Sequence, residues 1–157
     1  FVESMIENSN ISPQRVLFEI TEDELISNLQ SASGTIKRLQ HVGCRFGLDD
    51  FGSGFSSLSY LKMLPIDFIK IDGSFTRDLV NEPFQQALIR AIKGISNALG
   101  VQTVAEFVET PEELALLREI GIDHAQGFFL QKPRKLPFTK EEIATSLGTF
   151  VQNAAMK

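Results

Sequence analysis

Apolar runs of strand length recur along the chain, and amphipathic segments separate them. Runs of this length, bounded by turn residues, predict buried β-strands. They lie at residues 16–20, 44–48, 68–71 and 101–105, with a shorter fifth candidate at 124–126. The pattern therefore predicts five strands.

Helical periodicity fills the gaps between these runs. Between the first two strands, apolar residues recur at steps of three and four, which predicts one helix with a single apolar face. These residues are Leu25, Leu29, Ala32, Ile36 and Leu39. Further helices are predicted at residues 84–99, 111–120 and 138–157.

Helix ends have their own signals in this sequence. A Thr followed three residues later by Glu has the spacing of a capping box at a helix start. This spacing occurs at Thr21 with Glu24, Thr110 with Glu113, and Thr139 with Glu142. Gly100 and Gly121 follow two of the helical patterns, where a left-handed residue commonly ends a helix.

Strands that alternate with helices predict βα units and a parallel sheet, which is an α/β fold. A complete TIM-like (βα)8 barrel has eight strands and typically about 250 residues. Because this chain has 157 residues, we expect an incomplete TIM-like barrel of about five βα units plus a C-terminal helix. We expect residues 1–157 to form a single domain.

Composition narrows the classes of function. The chain is 43% hydrophobic with a net charge of −5, so it can form a core but offers no basic surface for polymeric nucleic acid. Cys44 is the single cysteine, which excludes an internal disulfide and indicates a reducing, cytoplasmic location. The chain begins at Phe1 without an initiator Met and inside a helical pattern. We therefore expect it to be cut from a longer protein.

Every predicted strand ends in an ionisable or amide side chain. The carboxyl ends of parallel strands converge on one rim of a barrel, where ligands bind, so these side chains are expected to meet. They are Glu19, Asp49, Lys70 with Asp72, Glu106 and Gln126. Any one of them alone is as easily a helix cap or a rim charge, but the repeated placement favours a functional site.

Asp49 and Asp50 are adjacent at a strand end and precede a loop of Gly and Ser. Adjacent carboxylates repel each other as they lose hydration, so a bound cation or a basic partner would stabilise them. A solvated turn that caps a helix beginning near Ser56 is the alternative interpretation. Oxygen ligands without a Cys or His cluster suit Mg²⁺ or Mn²⁺, and two such ions would support phosphodiester hydrolysis.

Lys70 and Asp72 lie on one face of their strand, and Ile69 and Ile71 lie on the other. An inward ammonium needs partners, because burying it alone costs several kcal/mol. A structural Lys70–Asp72 pair is one interpretation. The other is contact with neighbouring rim acids or a substrate phosphate.

Five motifs occur in order along the chain: FEITE at 18–22, DDFGSGFSSL at 49–58, IKIDGSF at 69–75, AEFVET at 105–110 and QGF at 126–128. Together they resemble the EAL-domain cyclic di-GMP phosphodiesterases of bacteria. The resemblance implies a TIM-like barrel that hydrolyses cyclic di-GMP to linear pGpG with two Mg²⁺ or Mn²⁺ ions. It implies that residues 1–157 are the C-terminal portion of such a domain. Sensory and diguanylate-cyclase-like domains, and any membrane anchor of the parent protein, would then lie upstream.

The resemblance also implies roles for individual residues. It implies metal ligands at Glu19, Asp49, Asp50 and Glu106, with Asp49 shared between the two ions. It makes Glu106 the general base, gives Lys70 the nucleophilic water or a phosphate oxygen, and places Asp50 among the catalytic residues. Glu22 would anchor the loop at residues 51–57, and Asp72, Gln126 and Glu109 would complete the substrate-binding shell.

Two features depart from the family pattern. Phe107 stands where the family most often has Gly, and its ring lies beside the implied base. The family's Glu-Ala-Leu strand and a following metal-binding Asn would lie before Phe1. Without them the first metal would keep only Glu19 and Asp49, so an inactive fragment is one expected outcome.

Two other functions stay open alongside the hydrolase. A degenerate EAL domain would bind cyclic di-GMP as a receptor without hydrolysing it. An assembly fragment would pair its open strand edges with another chain, and a homodimer is expected through the 51–57 loop or through completion of the barrel. The acids Asp49, Asp50 and Glu106 favour the hydrolase.

Overall fold

The structure is a computed structural model that describes residues 2–52 and 58–133. The helix predicted at 138–157, with its capping box at Thr139 and Glu142, lies outside the described residues.

The predicted strands form one parallel sheet with the order β1-β2-β3-β4-β5. They are β1 (Leu17–Thr21), β2 (Arg45–Phe51), β3 (Phe68–Ile71), β4 (Gln102–Ala105) and β5 (His124–Ala125). Each strand pairs with the strand that follows it along the chain. The prediction of an α/β fold with five parallel strands is confirmed.

The helices lie between the strands, as the periodicity predicts. They are α1 (Val2–Glu7), α2 (Glu22–Ser27), α3 (Leu29–Val42), α4 (Gly73–Thr76), α5 (Pro83–Leu99) and α6 (Pro111–Ile120). Short 3-10 turns occupy Pro13–Arg15 and Leu58–Met63. The helices predicted at 84–99 and 111–120 are confirmed.

The single helix predicted between β1 and β2 is wrong, because the chain breaks at Asn28 into α2 and α3. Asn28 has φ −139° and ψ 38°, outside helical geometry. Leu25 on one side of the break is fully buried, and Leu29 on the other packs against the same core. The apolar stripe therefore continues across the break, so the periodicity of the sequence does not reveal that the helix is interrupted.

The helix starts use their capping residues to different extents. At α6, Thr110 and Glu113 form the complete capping box, in which each side chain accepts from the other residue's backbone amide. At α2, the Thr21 hydroxyl accepts from the amide of Glu24 and donates to its carboxylate, so only half of the box forms.

The two faces of the sheet have opposite character. Alternate residues such as Leu48, Ile69 and Ile71 are fully buried and pack in the hydrophobic core with residues of the helices. The other face carries Glu19 and Lys70 and borders a depression of about 230 Å³. Strand alternation thus directs the ionisable residues away from the helices.

Two aspartates stabilise the amino ends of the strands, opposite the rim. Asp67 precedes β3 and accepts from the amide of Phe46 at 2.7 Å, and Asp123 precedes β5 and accepts from the amide and hydroxyl of Thr103 at 2.8 Å. Burial raises the pKa of Asp123, but the hydrogen bonds from Lys93 and Thr103 outweigh it and hold that pKa below its ordinary value. Structural carboxylates therefore occupy the end of the sheet away from the candidate site.

Among the described residues, no helix has both the length and the apolar character needed to cross a bilayer.

Candidate active site

Lys70 lies at the centre of a group of carboxylates from three neighbouring strands. Its Nζ atom is 2.8 Å from Asp49 Oδ1, 2.9 Å from Glu106 Oε1 and 3.1 Å from Glu19 Oε2. The Lys70 side chain is only 8% exposed. A buried ammonium is thus surrounded by three negative groups at hydrogen-bonding range.

The parallel register explains why residues so far apart in sequence meet here. Lys70 is paired with Val104 of β4, and Glu106 follows two residues later on the same face. Asp49 ends the part of β2 that pairs with β1, where its partner is Thr21. The carboxyl ends of β1 to β4 therefore deliver their ionisable side chains to one rim, as the strand-end pattern predicts.

Burial and mutual charge set the protonation of the group. Burial lowers the pKa of Lys70, but its hydrogen bonds to Asp49, Glu106 and Glu19 outweigh that effect and raise the pKa above its ordinary value. Burial raises the pKa of Glu106, and Lys70 offsets this only in part. Burial also raises the pKa of Asp50, with the charges of Asp49 and Asp72 adding to it. Lys70 stays charged, while the acids are crowded with negative charge.

Asp49, Asp50 and Glu106 fit a divalent cation. One carboxylate oxygen from each lies within 4.8 Å of the others, and hard oxygen donors of this kind suit Mg²⁺ or Mn²⁺. Asp49 Oδ1 is buried, and its close contact is the Lys70 ammonium at 2.8 Å. This oxygen retains acceptor capacity for a second positive group.

Asp50 directs its carboxylate toward this cluster from an unusual backbone conformation. Its φ is 54°, in the left-handed region, which costs a residue other than Gly about 1 kcal/mol or more. The strand turns at Asp50 while Phe51 still pairs with Ile71 of β3. Two successive aspartates can therefore reach the same rim, where strict alternation would send the second one to the opposite face.

Asp72 has a different position from the one that pairing with Lys70 would require. Its Oδ1 accepts from the amide of Ser74 at 2.9 Å, so Asp72 is the N-cap of α4. Of the two interpretations of Lys70, partnership with rim acids is the one observed.

Glu22 contacts residues on both sides of positions 53–57. It is 3% exposed and accepts from the amide of Gly52 at 3.0 Å and from the hydroxyl of Tyr60. Residues 53–57, on which the predicted dimer contact depends, lie outside the described residues. Sequence reasoning missed Tyr60, because it has no strand-end position or motif role to mark it.

Gln126 and Glu109 lie beside a second cavity of about 380 Å³. Glu106 and Phe107 line the same cavity, so it adjoins the carboxylate cluster. The backbone of Gln126 joins the ends of β4 and β5, since its amide donates to Ala105 at 2.8 Å and its carbonyl accepts from Val108 at 3.0 Å. Glu109 is exposed at the cavity edge.

Comparisons with known proteins find relatives in both sequence and structure. The family model described as "EAL domain" matches residues 1–133. The chain is 41% identical over 139 residues to the cyclic di-GMP phosphodiesterase PdeB of Shewanella oneidensis, an alignment that covers 88% of this chain and 16% of that protein. The chain thus spans about one sixth of the length of the curated relative.

Solved structures show the same fold at comparable identity. The EAL domain of Mycobacterium smegmatis DcpA superposes with a TM-score of 0.80 at 36% identity, covering 94% of this chain and 65% of that one. A manganese and cyclic di-GMP complex of Klebsiella pneumoniae BlrP1 superposes with a TM-score of 0.76 at 34% identity, covering 82% of this chain and 33% of that one.

Proposed function

Since the chain belongs to the EAL-domain family, we propose that it carries the catalytic rim of a metal-dependent phosphodiesterase that hydrolyses cyclic di-GMP to linear pGpG. The observation that supports this most strongly is the convergence of Glu19, Asp49 and Glu106 around Lys70, with Asp50 beside them. The hydrophobic core that packs the sheet against the helices lies on the other face of the sheet.

We propose that Asp49, Asp50 and Glu106 hold Mg²⁺ or Mn²⁺, with Glu19 as a further ligand. Bound there, the ions supply a nucleophilic water and offset the charge of the phosphodiester. Manganese is named in the BlrP1 complex, which is 34% identical to this chain. That likeness supports Mn²⁺ as the first ion to test.

The side chains around the rim suit the remaining steps. Glu106 is buried with a raised pKa, so its carboxylate is suited to accept a proton from the attacking water. The Lys70 ammonium is charged and fixed by its neighbours, and it can bind a phosphate oxygen or the water. Gln126 and Glu109 adjoin the cavity next to Glu106, where they can contact the guanine and sugar groups of the substrate.

Hydrolysis of cyclic di-GMP by the purified parent domain tests the proposal, because this chain covers only 65% of the solved EAL domain of DcpA. We expect pGpG to form only with Mg²⁺ or Mn²⁺, and we expect Asp49→Ala or Glu106→Gln to abolish turnover. Glu119→Gln is the matched control, because Glu119 is exposed on α6 and pairs with Arg90 on the protein surface. Unchanged rates in either site variant would remove the assignment.

Binding of cyclic di-GMP, measured in parallel by calorimetry, separates the enzyme from a receptor. Retained binding without turnover in the unmodified protein would contradict the phosphodiesterase proposal and identify the receptor alternative. Loss of both would contradict cyclic di-GMP as the ligand.

We also propose that the open sheet edges pair with further chain. Within the described residues, β1 and β5 each have a strand neighbour on one side only, and unpaired edges favour strand addition. The proposed partner is a second copy, bound through barrel completion or the 51–57 loop. A strictly monomeric, folded 17.5 kDa species in native mass measurements would contradict it.

A further inference from the structure

The chain turns sharply directly after Glu106. Phe107 has φ 54°, a left-handed conformation that is unfavourable for a large aromatic residue. A residue in such a region keeps it only where the surrounding structure holds it there. The surroundings of Phe107 therefore bear on where the preceding carboxylate lies.

The short helix α4 provides those surroundings on one side. Phe107 packs so closely on Gly73 that a Cβ atom at Gly73 would lie 2.2 Å from Cδ2 of the ring. The guanidinium of Arg77, directly after α4, lies over the same ring at 5.6 Å from its centre. The close contact with Gly73, which has no side chain, and the cation–π interaction with Arg77 together fix the position of the Phe107 ring.

Thr76, which is also part of α4, binds the backbone of Glu106. It is fully buried, and its hydroxyl donates to the carbonyl oxygen of Glu106, with the carbonyl of Gly73 as a second acceptor at 3.1 Å. The amide of Glu106 in turn donates to the carbonyl of Ile71, just before α4, at 3.3 Å. Both backbone polar groups of Glu106 are thus held by the segment from β3 to α4.

We propose that α4 is a cradle for the Glu106–Phe107 turn, and that Thr76 and Phe107 are positioning residues for the Glu106 carboxylate. The cradle consists of Gly73, Thr76 and Arg77. It fixes the peptide from which the Glu106 side chain extends, 2.9 Å from Lys70. Only the catalytic consequence of this placement rests on the proposed function.

The side chain of Lys70 reports this placement without any metal or substrate. Three carboxylates surround its ammonium, which slows hydrogen exchange and allows its ¹⁵Nζ signal to be followed by NMR and assigned with Lys70→Met. We expect Thr76→Val to shift or broaden this signal, because the isosteric side chain cannot hold the Glu106 carbonyl. Thr76→Ser keeps the hydroxyl and should leave the signal in place.

Thr103→Val is the matched control. Thr103 is as fully buried as Thr76 and lies on β4, the strand that leads to Glu106, but its hydroxyl binds Asp123 at the other end of the sheet. We expect this variant to lose stability while the Lys70 signal stays where it was. An unchanged Lys70 signal in folded Thr76→Val, or an equal change in Thr103→Val, would overturn the cradle.

Phe107→Ala provides a second variant, which removes the ring and keeps the unfavourable backbone conformation. We expect it to fold and to change the Lys70 signal, since the turn loses its contact with α4. In turnover assays, both Thr76→Val and Phe107→Ala should lower kcat about tenfold or more, with KM for cyclic di-GMP nearly unchanged, because a displacement near 1 Å can cost up to about 10²-fold. Full kcat in both variants would overturn the catalytic consequence.

The two proposals fail in different ways. Absence of turnover in the unmodified protein would contradict the proposed phosphodiesterase, while the Lys70 signal would still decide the cradle. Normal turnover in Thr76→Val and Phe107→Ala would overturn the catalytic consequence of the cradle and leave the phosphodiesterase in place.

Discussion

Replacing Lys70 with Met tests the electrostatics of the rim most directly. The substitution keeps an unbranched chain of similar length and removes the ammonium that three carboxylates share. Glu19, Asp49 and Glu106 then face one another without their shared cation, and Asp50 adds a fourth negative charge nearby.

The expected loss of stability is large for one side chain. Removing one partner of a buried ion pair costs about 3–5 kcal/mol, because the remaining charges stay desolvated and unpaired. The 8% exposure of Lys70 and the 9% exposure of the Glu106 side chain place this pair in that class. For a domain of this size, such a loss lowers Tm by roughly 6–20 °C.

The loss should depend on pH in a definite direction. Hydrogen bonds to its carboxylate partners raise the folded-state pKa of Lys70 above its ordinary value, so its stabilisation is fully present at neutral pH and is lost only as pH rises through the folded pKa. In Lys70→Met, Glu106 and Asp50, whose pKa values burial already raises, lose the nearby positive charge and bind protons more tightly in the folded state than in the unfolded state. The variant should therefore become more stable as pH falls from 7 toward 5, and it should gain more stability from Mn²⁺ than the unmodified protein does.

Urea denaturation at pH 7 and pH 5 measures these effects, with and without Mn²⁺. Lys93→Met is the control, because Lys93 is nearly as buried but, within the described residues, its ion pair is with the single carboxylate of Asp123, at the opposite end of the sheet. We expect it to lose about 1 kcal/mol and to show no added response to Mn²⁺. A Lys70→Met protein as stable at pH 7 as the unmodified one would refute the electrostatic account of the rim.

Other parts of the fold allow equally direct tests. Tyr60 is the single tyrosine of the chain. Its pKa is raised mainly by burial, and further by the hydrogen bond to Glu22 and the charge of that residue. Absorbance at 295 nm should therefore show no ionisation near pH 10 until the protein unfolds, and a transition near pH 10 in the folded protein would contradict the buried contact. Gly127→Ala should lose about 2–3 kcal/mol, because the new Cβ would lie 2.2 Å from the carbonyl oxygen of Val108, whereas an unchanged melting curve would show that this backbone can separate. Asp123→Ala should cost about 2 kcal/mol at pH 7; since the folded pKa of Asp123 is lowered, the difference should shrink as pH falls through that pKa, and a constant difference down to pH 2 would refute its charge as the cause.

The sequence predicted the features that depend on the periodic spacing of apolar residues and on the order of the elements. Five strands, their parallel arrangement and the helices at 84–99 and 111–120 follow from alternation and period. Glu19, Asp49 and Glu106 could be placed at one rim because parallel strands share a direction. These inferences depend on topology, which the order of elements largely determines.

Details that depend on three-dimensional contacts were beyond the sequence. The strand β2 continues through Asp49 and Asp50 because the neighbouring strands supply hydrogen bonds, which an apolar pattern does not register. The partners of Lys70 come from β1, β2 and β4, so no spacing within β3 identifies them. Thr76 is missed for a similar reason, since a buried hydroxyl near a strand end has the same sequence signal as an ordinary core threonine.

The strictly sequential order of the sheet has a consequence for how the molecule is made. Because every strand in the described residues pairs with its successor in the chain, each pairing closes through a single connection, and no strand must wait for a distant partner. The sheet can then grow one βα unit at a time as synthesis proceeds from the amino end. Few unpaired edges would be exposed at any moment on the ribosome, which limits the opportunity for edge-to-edge aggregation.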